Sequence, residues 1–239
     1  MKILAALILM MSLAMPVGAE QTLSFGFIHA PLSFSSLSVL KVAYSRIGIR
    51  VQGLKLPAAR SLEQSDAGLT DGEVHRIRDI EAEHPQLIRI EVPINRVEGM
   101  ALSCNKPLNL ADPDVFWNYR IGIKIGTIYA ERLTDGMPSV TKLLSEDKLM
   151  DLLVARRLDV VIGDRPWAER QIDMPGHGCV RINEPPLVRI PLYHYLHIRH
   201  AYLVPDITRV LREMEESGEM ERVIREALDF VRKNPVPEQ

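Results

Sequence analysis

The sequence predicts an α/β protein whose sheets are mostly parallel, and three observations carry that expectation. Short runs rich in valine, isoleucine and leucine alternate with segments of helical periodicity through most of the chain. Glycine or proline stands at many of the changes of period. No internal repeat or low-complexity tract interrupts the rhythm.

Residues 22–28 read as a first strand. Residues 34–47 read as a helix with Leu37, Leu40, Ala43, Tyr44 and Ile47 on one face, stopped by Gly48. Residues 49–54 return as a strand, and Pro57 opens a short helix through Leu62 that ends near Gly68. Residues 72–77 and 87–92 supply further strands around a helical stretch, 78–83, so the first unit is β-α-β-α-β. A second unit begins after the strand-like 97–103. There, 120–125 is a strand entering a Gly126-Thr127 turn and a helix from Ile128. Ser145 caps a helix with Leu149, Leu152, Leu153 and Arg156 on one stripe, and 159–162 is a buried strand ending at Gly163-Asp164. Residues 179–182 and 187–190, separated by Pro185-Pro186, lead into 193–198, a crossing back to the first unit. Two amphipathic helices close the chain and are expected to pack on the first unit. One opens at Pro205 and carries Ile207, Val210, Leu211 and Met214; the other follows Ser217-Gly218 and carries Met220, Val223, Ile224, Ala227 and Leu228.

Residues 1–19 have the order of a secretory signal peptide: Lys2, an unbroken apolar run over 3–11, and the small-residue stretch Val17-Gly18-Ala19 for cleavage. That run falls short of the roughly 20 residues that span a bilayer. A lipid anchor would need a cysteine after the cut, where Glu20 and Gln21 stand. The mature chain is therefore expected to be soluble and periplasmic. It keeps 28 basic and 31 acidic residues, a net charge near −3, which is no signature of nucleic-acid binding. Its two cysteines, Cys104 and Cys179, lie 75 positions apart, and sequence does not decide whether they pair.

Several constellations lead nowhere. His194, His197 and His200 suggest a metal cluster, but on a strand His197 faces away from the other two, and the surrounding Tyr193, Tyr195, Leu196 and Ile198 favour a strand. No phosphate loop, zinc-protease motif or nucleophile elbow is present, so neither cofactor nor metal is expected. Asp71 with Glu73 reads as a solvated pair, and Asp159 with Asp164 is the other acid/base candidate. Of the two tryptophans, Trp167 stands near a strand end, and packing between helix and sheet is its first reading.

The order of elements and five phrases resemble the bacterial extracellular solute-binding proteins of the polar-amino-acid type, family 3. The phrases are Leu56-Pro57-Ala58-Ala59-Arg60-Ser61-Leu62, Asp71-Gly72-Glu73-Val74, Ile123-Lys124-Ile125-Gly126-Thr127, Leu158-Asp159-Val160-Val161-Ile162-Gly163-Asp164, and Leu211-Arg212-Glu213-Met214 leading to Ser217-Gly218. The resemblance covers nearly the whole mature chain. It implies the two-lobed type II periplasmic-binding-protein fold, with residues 20–103 and 193–239 as lobe one and 104–192 as lobe two. It also implies a monomer that closes by a hinge on a small polar, amino-acid-like solute and serves the inner-membrane permease of an ABC-type transporter, without enzymatic chemistry.

The ligand-binding residues follow from the same resemblance. Asp164 matches the family carboxylate that receives an α-amino group; read alone, it is equally a helix N-cap. Gly126, Thr127 and Ile128 open a helix whose N–H groups could hold a carboxylate, and equally form an ordinary turn. Arg76 offers bidentate contact to a carboxylate, its alternative being a solvated charge beside Arg78. Arg60 matches a cleft-facing loop. Phe27, with His29 and Phe34, is the nearest substitute for a covering aromatic, although Phe34 has core spacing. The chain departs from the family pattern at His75-Arg76-Ile77-Arg78-Asp79, where a threonine-rich segment with an arginine is usual. That departure leaves room for an enzyme on the same scaffold, or for a sensory or accessory protein with a degenerate cleft.

Overall fold

A computed structural model describes residues 21–28, 30–105, 107–110, 112 and 114–234. Residues 1–19, expected from sequence to be a signal peptide, lie outside the described residues, as do Glu20 and His29. In chain order the strands are β1 (Thr22–Phe27), β2 (Arg50–Lys55), β3 (Gly72–Arg76), β4 (Leu87–Cys104), β5 (Ile121–Lys124), β6 (Val140–Leu143), β7 (Val160–Asp164) and β8 (Val180–His197). The α-helices are α1 (Pro31–Ser45), α2 (Ala58–Asp66), α3 (Ile128–Leu133), α4 (Glu146–Val154), α5 (Arg165–Ile172), α6 (Val204–Glu216) and α7 (Glu219–Lys233).

The strands form one sheet in the order β2-β1-β3-β8-β4-β7-β5-β6. Its outer parts are parallel, β1 with β2 and β3 on one side and β5 with β6 and β7 on the other. The long central strands β4 and β8 pair antiparallel with each other and with β7 and β3 respectively. Helical crossovers after the strands keep the outer parts parallel, because a parallel return needs a connection of a dozen or more residues.

Each outer part has its own apolar core, as the two-lobed architecture requires. One core gathers Leu23, Phe25, Leu40, Tyr44, Ile90 and Ile94, and α6 and α7 close it with Ile207, Leu211, Met214 and Met220. The other part is buried on both faces: Met100, Leu102 and Val161 turn to the side of Leu149 and Leu153, while Ala101, Val160 and Ile162 turn to the side of Phe116 and Ile123. The period of two along β4 and β7 produces that division.

Three sequence expectations change. Helix α1 starts at Pro31, ahead of Phe34, because proline is preorganised for a first helical turn. β4 and β8 are each continuous over 18 residues, where sequence suggested separate strands. The Pro185-Pro186 pair is carried as a bulge: Gly99 pairs with Val188 and Ala101 with Asn183, so 184–187 leave the ladder to which prolines cannot donate. Finally, His200 lies beyond β8 in the 3-10 segment Ile198–Leu203.

Candidate ligand-binding site

A cavity of about 190 Å³ lies where the carboxyl ends of strands from both outer parts meet. Ala30 and Pro31 reach it just beyond β1, Lys124 at the end of β5, Glu146 just beyond β6, and Asp164 at the end of β7. Phe34 of α1 and Trp167 of α5 give it aromatic walls, and Leu228 and Val231 bring α7 against the same space. The crossing point of such strand ends is where α/β sheets hold ligands.

Asp164 owes its place to two local features. β7 is a buried strand that must stop at a polar residue, and Pro166 follows in the first turn of α5. The Trp167 N–H donates to Asp164 Oδ1 at 2.9 Å, so the side chain caps α5. Gly163 allows this turn, since a Cβ there would stand 2.3 Å from the Trp167 ring. Burial raises the Asp164 pKa, against the lowering pull of the Trp167 N–H and of the charges on Lys124 and Arg170. Among the described residues no cation forms an ion pair with it. An Asp164→Asn change is expected to keep the cap and leave the melting temperature of the ligand-free protein equal or higher. Asp164→Ala is expected to cost about 1 kcal/mol. Thermal denaturation of both variants checks this, and equal losses would show that Asp164 is not a cap.

The other charges on the wall are mostly paired. Lys124 meets Glu146 at 3.2 Å, Arg232 meets Asp229 at 2.9 Å, and Glu169 lies 4.0 Å from Arg165. Arg170 lines the cavity with no ion pair among the described residues. Trp167 Nε1 is buried without a hydrogen-bond partner, as is the Tyr129 hydroxyl. Burial pushes the Tyr129 pKa well up, and the negative charges of Asp164 and Glu146 push it further.

The remaining sequence candidates are placed elsewhere. Arg76 is not among the residues lining this cavity and is not a solvated charge: its side chain is only 10 % exposed and its Nη2 is 2.6 Å from Glu73 Oε2. Its Nε also donates to Glu73, at 2.8 Å, and its Nη2 to the Ala58 carbonyl. Glu73 is fully buried and also accepts from Ser61 at 2.6 Å and Ser65 at 2.5 Å, so it requires that cation. Gly26 makes room for this group, since a Cβ there would stand 2.1 Å from Ser61 Oγ. Asp71 binds Ser24, Arg199 and His200, which corrects the expectation of a solvated Asp71 and Glu73 pair. Asp159 is bound by Arg120.

At the β5 turn, the Gly126 N–H is taken by Glu131 Oε1 at 3.0 Å and that of Thr127 by the Lys124 carbonyl at 3.1 Å. Two of the expected anion-binding donors are therefore already used, and Ile128 is exposed beside them. Arg60 is exposed on α2. Phe27 belongs to the first core and meets Phe34 edge-on at 5.3 Å. Of the seven candidates, the structure brings Asp164 alone to the cavity wall. Sequence reasoning missed Lys124, Glu146, Arg170 and the α7 residues. Lys124 had a signal in its position at a strand end, and Leu228 in the apolar stripe of the last helix.

No protein-family model matches the chain. An uncharacterized protein of Shewanella oneidensis is 24 % identical over 212 residues, covering 85 % of this chain and 77 % of the relative. The ligand-binding core of GluR0 in complex with L-glutamate superposes with a TM-score of 0.69 at 14 % identity, over 88 % of this chain and 100 % of that one. The chain has the type II periplasmic-binding-protein fold. The same fold is matched by the amino acid ABC transporter substrate-binding protein AbpA of Streptococcus pneumoniae, bound to L-arginine, with a TM-score of 0.63 at 13 % identity over 87 % and 94 % of the two chains. A third match is the ancestral amino-acid-binding protein AncCDT-1, described as a precursor of cyclohexadienyl dehydratase, with a TM-score of 0.62 at 13 % identity over 87 % and 96 %. β4 and β8 are the two long strands that join the outer parts of the sheet. No helix among the described residues is long and apolar enough to cross a membrane.

Proposed function

We propose that the chain is a secreted periplasmic solute-binding protein that holds a small polar, amino-acid-sized solute in the cavity at Asp164. One observation carries this reading: the carboxyl ends of strands from both outer parts converge on a cavity whose wall holds a carboxylate, Asp164, with no ion pair among the described residues. The amino-acid-binding relatives of the same fold support it. In this reading lobe one comprises residues 20–103 and 193–239 and lobe two 104–192, with β4 and β8 as the hinge. The mature protein acts as a monomer, and its closed form is what the permease of an ABC-type transporter recognises.

The test is a thermal-shift screen of the mature protein against amino acids, polyamines, small organic acids and sugars. A ligand at a hundredfold excess over its Kd stabilises the folded state by about 2.7 kcal/mol. A hit is expected in wild type and is expected to disappear in Asp164→Asn, which keeps the helix cap. A hit that survives in Asp164→Asn would retain a receptor but remove this cavity as its site.

A second reading is favoured by one specific feature: a buried carboxylate with a raised pKa close to the buried Tyr129 hydroxyl is also what a general acid looks like. In that case the chain would be an enzyme acting on a small periplasmic metabolite. Incubating each hit with the protein and analysing the mixture by mass spectrometry separates the two, since a receptor returns its ligand unchanged.

A further inference from the structure

We propose that Arg170 is the carboxylate anchor of this site, so that both charged ends of a zwitterionic ligand are held by one unit, the β7–α5 corner. The inference rests on the solute-binding reading above and names the residue that sets its specificity.

Most cations around the cavity are already committed to other partners. Arg76, the arginine that the resemblance favours, is committed to Glu73 and the Ala58 carbonyl. Withdrawing it would leave a fully buried glutamate without a counter-ion. Of the cations lining the cavity, Lys124 faces Glu146 and Arg232 faces Asp229. Arg170 remains, with no ion pair among the described residues and a planar guanidinium suited to bidentate contact with a carboxylate. Asp164 is the matching anion on the wall, capping α5 and forming no ion pair among the described residues. The N–H groups of Gly126 and Thr127 offer no competing carboxylate site, being already bonded.

The cavity wall thus carries a carboxylate and a guanidinium on the same short stretch of chain, near enough for the charge of Arg170 to act on Asp164 but with no ion pair between them among the described residues. A ligand with an ammonium and a carboxylate satisfies both. The apolar contacts come from elsewhere, from Phe34 of α1 and from Leu228 and Val231 of α7. Such a ligand is seated by charge on the β7–α5 corner and covered by apolar surface from the other lobe.

Matched pairs of an amino acid and its decarboxylated amine test the proposal: L-arginine with agmatine, L-lysine with cadaverine, and L-phenylalanine with phenethylamine. Affinities are measured by calorimetric titration on wild type and on Arg170→Gln. In wild type one amino acid is expected to bind at least about tenfold more tightly than its amine, as a charge-assisted bidentate contact provides. In Arg170→Gln that preference is expected to vanish while the amine binds as before. Circular dichroism confirms that the variant is folded, and Arg170→Lys is expected to restore part of the preference.

An amino-acid preference that survives intact in Arg170→Gln would overturn the assignment while leaving the solute-binding reading in place. So would an amine that binds wild type as tightly as its parent. Absence of binding by every compound of all three pairs would overturn this inference; a hit in the wider screen among organic acids or sugars would still leave a receptor.

Discussion

Between pH 7 and pH 5 the folded protein is expected to lose about 4 kcal/mol of stability, because buried His194 and half-buried His75 are both held in their neutral form. His75 is held by Ser36 Oγ at 2.7 Å, within a polar pocket where Asn95 also bonds Ser35 and Ser36. Its pKa is pushed down to about 3, by burial first and by the charge of Arg76 second. His194 donates from Nδ1 to the Glu73 carbonyl at 2.7 Å and accepts at Nε2 from the Tyr44 hydroxyl at 2.9 Å. Burial lowers its pKa to about 4, against the raising effect of the backbone groups of Glu73 and Val74.

In the unfolded chain both imidazoles take a proton near pH 6.5. The folded state refuses it, so stability is fully present above pH 6.5. It falls by up to about 1.4 kcal/mol per pH unit for each histidine as the pH drops towards the folded values. Asp164 and Glu169 have raised pKa values and oppose the trend at its acid end. Asp71, whose pKa stays low because Ser24, Arg199 and His200 outweigh its burial, adds a further loss only below the carboxylate range. Urea titrations at pH 7, 6 and 5 measure the effect, and His194→Gln should roughly halve the slope. A midpoint independent of pH across that interval would show that neither histidine is kept neutral.

Reduction of the disulfide is expected to cost about as much, roughly 4 kcal/mol by the chain-entropy relation for a loop of this length. Cys104 ends β4 and Cys179 precedes β8, with their Cα atoms 4.9 Å apart and 75 positions between them in sequence. Cys104 pairs with Val180 in the ladder, and the Asn105 N–H donates to the Cys179 carbonyl at 2.9 Å, so the bridge fastens the outer end of the two long strands. Reduction restores to the unfolded chain the freedom of nearly all of β5 to α5. Denaturation midpoints with and without a thiol reductant, and a Cys104→Ala/Cys179→Ala variant, should agree with each other and lie well below wild type. Unchanged midpoints would mean that the strand pairing holds this end without help. A paired bridge also fits the oxidising compartment of the proposed function.

Little of the cavity wall was legible locally, and Asp164 is the exception. Asp164 could be found because a buried strand that stops at an acidic residue before a proline dictates both a helix cap and a strand-end position. The cap reading holds, and the same side chain lines the cavity. The solvated-charge reading of Arg76 failed because Glu73 was also read as solvated. Glu73 lies three residues away and looks solvent-facing until Ser61 and Ser65 of α2 are laid over Gly26 and bury it. Arg170 carried no local signal, since an arginine in the last turn of a helix is ordinary until its neighbours prove to be paired elsewhere.

Sequence by itself determined what depends on neighbours along the chain: the alternation of periods, the caps at Ser145 and Asp164, the apolar stripes of α6 and α7, and hence the α/β class. Tertiary structure decided what depends on residues far apart. It joined the two halves of β4 and of β8 across a proline bulge, paired Cys104 with Cys179, and brought α7 to the cavity wall. It also decided that Arg76 is held by a buried glutamate while Arg170 lines the cavity. Hydrogen-bond periodicity is a local property of the backbone, whereas the pairing of a charge depends on which opposite charges the fold brings beside it.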